Sequence, residues 1–185
     1  MKNTIAIALI ICSAFAVQAQ DRYFTRDGMV TFFSHTAMED IEAVNHKLTS
    51  VIDMSSGSFE FAALMKSFEF EKALMEEHFN ENYVESNTYP KATFKGKIED
   101  FDKVLTGLKS GMADVTASGT LMIHGVEQKV SIPAKIEKIA DTYKVSAVFK
   151  INPEDYGIEI PNTVRDNIAE QLEVTVDAPL AALKK

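Results

Sequence analysis

Histidine, cysteine, acidic and hydroxyl side chains are where catalysis or metal binding would begin, and this chain offers few of them in useful spacings. Its four imidazoles, His35, His46, His78 and His124, form no i, i+2 or i, i+4 pair, the spacing that brings two nitrogens to one metal from a strand or a helix. One arrangement can be drawn as an acid–base cluster, Glu76-Glu77-His78, in which a carboxylate stands beside an imidazole. Adjacent glutamates on a helix more commonly mark a solvated face, and the i, i+4 partner of His78 is Leu74, so a structural histidine accounts for the same residues. His124 falls at a hairpin turn, where a surface or turn-stabilising role is expected. No serine sits in a Gly-x-Ser-x-Gly elbow, and no glycine-rich run could cradle a phosphate. The expectation is a protein without catalytic residues, bound metal or cofactor.

The elements that carry these residues are clearest between Ser67 and Ile98. Phe68 and Phe70 are two apart, as on one face of a strand. From Glu71 the period lengthens: Leu74 pairs with His78 and Met75 with Phe79 at i, i+4, which predicts a short helix that Asn80 or Asn82 can stop. Tyr89-Pro90 sets an extended lead-in. Ala92, Phe94, Gly96 and Ile98 then alternate with Lys91, Thr93, Lys95 and Lys97, a strand with one dry and one wet face.

Strands recur along the rest of the chain. Met29–Ser34 and Leu48–Met54 are apolar segments, and between them Glu39, Glu42 and Asn45 fall in an expected loop or short helix, where they would rim a barrel mouth or solvate a connection. Phe59, Phe61, Ala63 and Met65 form one alternating row. Phe101–Lys109 fits a helical turn closed by Ser110-Gly111. The row Val115, Ala117, Gly119, Leu121 and Ile123 leads through a tight turn at His124-Gly125-Val126-Glu127 into Val130, Ile132, Ala134 and Ile136, a hairpin. Pro133 cannot donate to a ladder, so its N–H side should face away from pairing, or the strand should bulge. Tyr143, Val145, Ala147, Phe149 and Ile151 make the next inward row. Asn162 could cap a short helix carrying Val164, Ile168 and Leu172. Leu172, Val174, Val176 and Ala178 form the last strand row.

About eight strands in mostly sequential hairpins, each with a wet face, predict an all-β, antiparallel barrel with short helices, closed to remove its edges. Barrels of that size are filled by side chains or hold one small ligand. The inward rows mix large residues with Ala92, Gly96, Ala117, Gly119, Ala134 and Ala147. Small residues suit either the taper of a packed barrel or the wall of a tunnel. Twelve Phe, eight Met and no Trp make a soft apolar palette, and Met adapts to irregular shapes.

Three stretches resemble the YceI-like family of periplasmic lipid-binding proteins: Leu74-Met75, His78-Phe79-Asn80, Tyr89-Pro90 and Thr93-Phe94; then Gly119-Thr120-Leu121-Met122-Ile123-His124-Gly125-Val126; then Asp155-Tyr156-Gly157-Ile158. They occur in the family's order and span roughly Tyr23 to Leu180. The chain departs from the family pattern at Met75-Glu76-Glu77-His78-Phe79 and at Asn152-Pro153, which leaves the ligand's identity open. The resemblance implies a lipocalin-like barrel with a helical lid segment, holding a long apolar molecule such as an isoprenoid lipid, an isoprenoid quinone or a fatty-acid-like compound. The implied lining is Phe59, Phe61, Met65, Met75, Phe79, Phe94, Ala117, Leu121, Ala147, Phe149 and Tyr156. Two other readings fit the residues: a solidly packed barrel acting as a protein-interaction module, and an enzyme using His78 with Glu77.

Residues 1–19 read as a signal peptide. Lys2 supplies the positive start, Ile5 to Val17 the apolar run, and Val17-Gln18-Ala19 a small-residue cleavage site. The run is shorter than the ~20 residues a spanning helix needs, so export to the periplasm is expected, with secretion as the alternative. Cys12 lacks the small preceding residue a lipid anchor would require. Residues 20–185 then form one domain without a cysteine, so without a disulfide. Loss of Lys2 takes the formal charge from −8 to −9, which disfavours nucleic acid or an anionic membrane as partner. The oligomeric state stays open, a dimer included.

Overall fold

The strands of the barrel follow the period-two rows, and the places where that period slips decide its shape. The computed structural model describes residues 21–183, so the segment expected to be a signal peptide lies outside the described residues. The strands are β1 (Arg22–His35), β2 (Asp40–Asp53), β3 (Ser58–Leu64), β4 (Phe68–Phe70), β5 (Lys91–Ile98), β6 (Met112–Ile123), β7 (Val126–Ile139), β8 (Thr142–Ile151) and β9 (Leu172–Ala182). Two short helices are α1 (Ala73–His78) and α2 (Phe101–Gly107). Ladder order is β1-β9-β8-β7-β6-β5-β3-β2, closed by antiparallel pairing of β1 with β2. The result is a closed eight-stranded antiparallel barrel with β4 as an extra strand.

β4 is in effect the continuation of β3. Both pair with the same edge of β2, β3 at Thr49–Asp53 and β4 at Ala43–Asn45. A 3₁₀ turn at Met65–Ser67 separates them. Asn45 spans the break: its Nδ2 donates to the Leu64 carbonyl at 2.8 Å, and its Oδ1 accepts from the Lys47 N–H at 2.7 Å. The expected loop or helix around Glu39, Glu42 and Asn45 is therefore a tight turn followed by strand, with Glu42 outward and Asn45 fully buried. Register shifts between Thr25 and Val30 break the alternation that would have announced it.

One end of the barrel is plugged. Gly57, at φ +71, lets the β2–β3 turn press on Phe101, whose ring would lie 2.6 Å from an added Cβ. α2 and the 3₁₀ turn after it (Leu108–Ser110) then bury Val104 and Leu108 in the core with Ile52, Ile136 and Leu180. At the other end, β6 and β7 turn over His124-Gly125, both at positive φ (51° and 75°), the geometry a two-residue hairpin requires. β8 pairs with β7 only from Ala134 to Ile139, so Pro133 stands where that ladder stops and offends no hydrogen bond. Its N–H side faces away from pairing. Beyond it β7 is covered instead by the Pro153–Tyr156 turn, whose Asp155 carbonyl accepts from Gln128 Nε2 at 3.0 Å.

Two irregular stretches, residues 71–90 and 152–171, lie over this second end. In the first, α1 does not stop at Asn80 but runs into a π-helical turn, Phe79–Tyr83, that ends at Glu85 with φ +44. Asn80 is kept inside the turn because its Nδ2 takes the Glu76 carbonyl at 2.9 Å. In the second, the helix expected after Asn162 is a single 3₁₀ turn, Arg165–Asn167, and Leu172 already belongs to β9. Ser34 Oγ accepts the Ala169 N–H at 2.8 Å, which holds that backbone extended against β1.

Candidate functional site: an apolar cavity beneath two covering segments

Where inward side chains are short, the barrel is hollow. Ala134 and Ala147 are direct partners across β7 and β8, Val176 extends their row onto β9, and Ala117 faces Ile132 across β6 and β7. All five line a cavity of about 360 Å³, within the ~300–1,000 Å³ typical of small-molecule sites. Toward the mouth its wall is made of Phe61, Phe94, Leu121 and Phe149, then Met65, Met75, Phe79 and Tyr156.

Of the residues singled out from the sequence, all of these and Ala117 and Ala147 stand on the cavity wall. Phe59 does not. It is buried behind the wall, its ring 4.8 Å from Phe94 and 5.9 Å from Phe61. Gly96 and Gly119 also leave the wall, because they let two backbones approach rather than widen the interior. Other wall residues went unseen. Phe32, Phe68 and Phe70 gather around Phe79 with ring centroids 5.1–5.7 Å apart, which fixes α1 over the mouth. The two-residue spacing of Phe68 and Phe70 was visible in the sequence, but their partner Phe32 was not. Since Met75 and Phe79 take the inner face of α1, Leu74 is turned out to solvent and His78 reaches only the rim, exposed. His78 is thus not the buried structural histidine its spacing from Leu74 suggested.

Polar groups meet the cavity near the mouth. Ser34, on β1, is 1 % exposed. Glu39, in the β1–β2 turn, accepts from Lys72 Nζ on Oε1 at 2.8 Å and from Asn167 Nδ2 on Oε2 at 3.1 Å. Lys72 precedes α1 and Asn167 lies in the second covering segment, so one carboxylate ties both segments together. The Lys72 hydrogen bond, and after it that of Asn167, holds the Glu39 carboxyl below the ordinary carboxylate range; the same bond raises Lys72. Burial pushes the phenols of Tyr83 and Tyr156 up, keeping them neutral.

His124 serves the covering segments from the other side. Its Nε2 meets Glu85 Oε2 at 2.8 Å, its Nδ1 lies 3.3 Å from the Tyr156 carbonyl, and its ring stands 4.4 Å from that of Tyr89. The expected turn role is there, with a second one: it joins the hairpin to both stretches. Arg165 braces the second stretch internally through Glu154, at 2.6 Å. Among the described residues, no three His, Cys, Asp or Glu side chains gather as a metal site would need, and no helix is long and apolar enough to cross a membrane.

A closed antiparallel barrel enclosing an apolar cavity under a helical cover defines a ligand-binding barrel by its form. The model of the YceI-like domain matches residues 22–180, and the chain belongs to that family. Among solved structures, it is similar to a polyisoprenoid binding domain from Saccharophagus degradans implicated in plant cell wall breakdown (TM-score 0.74, 18 % identity, 89 % of this chain and 99 % of that one). It is also similar to Burkholderia cenocepacia BcnA (TM-score 0.69, 17 % identity, 82 % and 95 %) and to the Campylobacter jejuni YCEI protein (TM-score 0.58, 18 % identity, 75 % and 81 %). At these identities the likeness is one of fold. No curated protein matches the sequence.

Proposed function

We propose that this protein is an exported carrier that holds a long apolar molecule inside its barrel: an isoprenoid lipid, an isoprenoid quinone or a fatty-acid-like compound. The observation that carries the reading is the cavity of about 360 Å³ beneath facing alanines. At roughly 30 Å³ for a group the size of a water molecule, that space takes about a dozen methylenes. At about 0.8 kcal/mol each they contribute a gross ~10 kcal/mol, from which ordering and association costs are subtracted. Such binding needs no catalytic residue. The Saccharophagus relative, named as a polyisoprenoid binding domain, supports the ligand class. The leader-like residues 1–19 support export, and with it action in the periplasm.

The test is mass spectrometry of organic extracts from natively expressed protein purified without detergent. A stoichiometric long-chain species is the expected result. Extracts free of lipid, together with failure to bind any added apolar chain, would overturn the carrier reading. Intact mass of the same sample reports export: Gln20 at the N-terminus is expected, and a retained residue 1 or a lipid adduct on Cys12 would contradict it.

A further inference from the structure

The placement of charge at the mouth restricts the ligand further, on the basis of the carrier reading. The deep wall, from Ala117 and Ile132 to Val145 and Val176, is apolar, and that end is plugged by α2. Polar wall groups lie toward the mouth: Ser34, Glu39 and Asn167 where the covering segments meet, His78 and Tyr83 on the first covering segment, and Thr93 near the start of β5. An amphiphile therefore enters tail first and leaves its head beside Glu39. No lysine or arginine stands on the described wall, and the nearby Lys72 ammonium is already bound to Glu39.

We propose that Glu39 is a specificity-determining residue that selects amphiphiles with an uncharged, hydrogen-bond-donating head and turns away carboxylate or phosphate heads. An ionised carboxylate offers about four acceptor sites, and Lys72 and Asn167 use two of them. A hydroxyl head can donate to another without disturbing either bond. An anionic head meets a like charge and a cation that is already paired, in a site partly withdrawn from water: the Glu39 side chain is 24 % exposed. Like-charge juxtaposition of this kind discriminates between partners rather than adding affinity. The same two bonds make Glu39 the tie between the covering segments, so a selectivity role has to be separated from a merely structural one.

Two variants of the full protein separate them. Glu39→Gln keeps an acceptor for Asn167, removes the charge and frees Lys72. Lys72→Met removes the cation and leaves the carboxylate. Binding is read by displacement of the neutral probe N-phenyl-1-naphthylamine with 1-hexadecanol and with hexadecanoate at pH 8. The native protein is expected to take the alcohol at least about tenfold more tightly than the carboxylate, the scale of a like-charge contact at partial burial. Glu39→Gln should close most of that gap by tightening hexadecanoate, and Lys72→Met should widen it. Equal affinity of the native protein for both compounds overturns this inference while the carrier reading stands. A parallel change in both variants assigns Glu39 a structural role only and also overturns it. Displacement by neither compound, with no probe binding, removes the carrier reading and this inference together.

Discussion

Gly96 and Gly119 oppose each other across β5 and β6 so closely that a Cβ added to Gly96 would stand 2.7 Å from the Gly119 Cα and 2.1 Å from the Ser118 carbonyl oxygen. The reciprocal addition at Gly119 would meet the Lys95 carbonyl oxygen at 2.2 Å. The obstacles are backbone atoms, which cannot rotate aside. Gly96→Ala and Gly119→Ala are each expected to destabilise by at least the ~1–3 kcal/mol of an overpacked core. Calorimetry should record falls of several degrees in Tm, at roughly 2–4 °C per kcal/mol for a chain of this size. An unchanged Tm in either variant contradicts the close approach.

Ala147 and Ser146 are neighbours with opposite surroundings. Ala147 lies on the cavity wall between Ala134 and Val176, whereas Ser146 lies between Lys135 and Asp177. Ala147→Phe should project a ring into the cavity, exclude ligand and cost less than about 1 kcal/mol, since filling open space strains nothing. Ser146→Phe is the control and should alter neither ligand content nor Tm much. Strong destabilisation by Ala147→Phe would mean that the interior is filled by side chains.

Asn45 is fully buried and joins β2 to the break between β3 and β4. Asn45→Leu keeps the bulk but leaves the Leu64 carbonyl and the Lys47 N–H unpaired. Both bonds are part-buried, and an orphan withdrawn from water costs up to about 1–3 kcal/mol, so a loss of ~1 kcal/mol or more is expected in urea unfolding. A neutral outcome would show that water reaches the break.

The tie between the covering segments should depend on pH. The Glu39 carboxyl is held below its ordinary value of 4.5 by Lys72 and then Asn167, so its contribution is complete above that value and is lost as pH falls through the lowered one. Lys72 is raised above 10.5 by Glu39, so its contribution is complete below that value and is lost as pH climbs through the raised one. The share of stopped-flow probe release that this tie controls should therefore be constant between these limits and accelerate once pH drops well below 4.5. Glu39→Gln should release quickly throughout, without the acid limb. An acid limb that survives the substitution would assign it to another group.

Legibility followed regularity. Within each of β5, β6, β7 and β8 the rows alternate without a slip, and their inward members are those that face the barrel interior. The first two strands were harder, because the bulges between Thr25 and Val30 shift inward residues out of phase and Asn45 looks like a loop residue. The short helix after Phe70 was readable from the Met75–Phe79 spacing. Which of its faces turned inward was not, since Leu74–His78 carries the same spacing and the rings that receive Phe79, those of Phe68, Phe70 and the distant Phe32, decide between them. Glu39 was recognisable as a residue placed to rim a mouth or to solvate a connection. Its bonds to Lys72 and Asn167 join positions 33 and 128 residues distant, and no local pattern encodes them.

Ile151 and Leu172 are direct partners in the β8–β9 ladder, so the whole second covering segment, residues 152–171, leaves the barrel and returns to it at one rung. Closure entropy grows only slowly with loop length, about 0.6 kcal/mol per doubling. The segment is thus an insertion at one hairpin rather than a break in the shell, and Pro153, Tyr156 and Ile158 sink from it back into the core. The ladder is in this way continuous beneath its cover, and the cover reaches the mouth without interrupting a single rung.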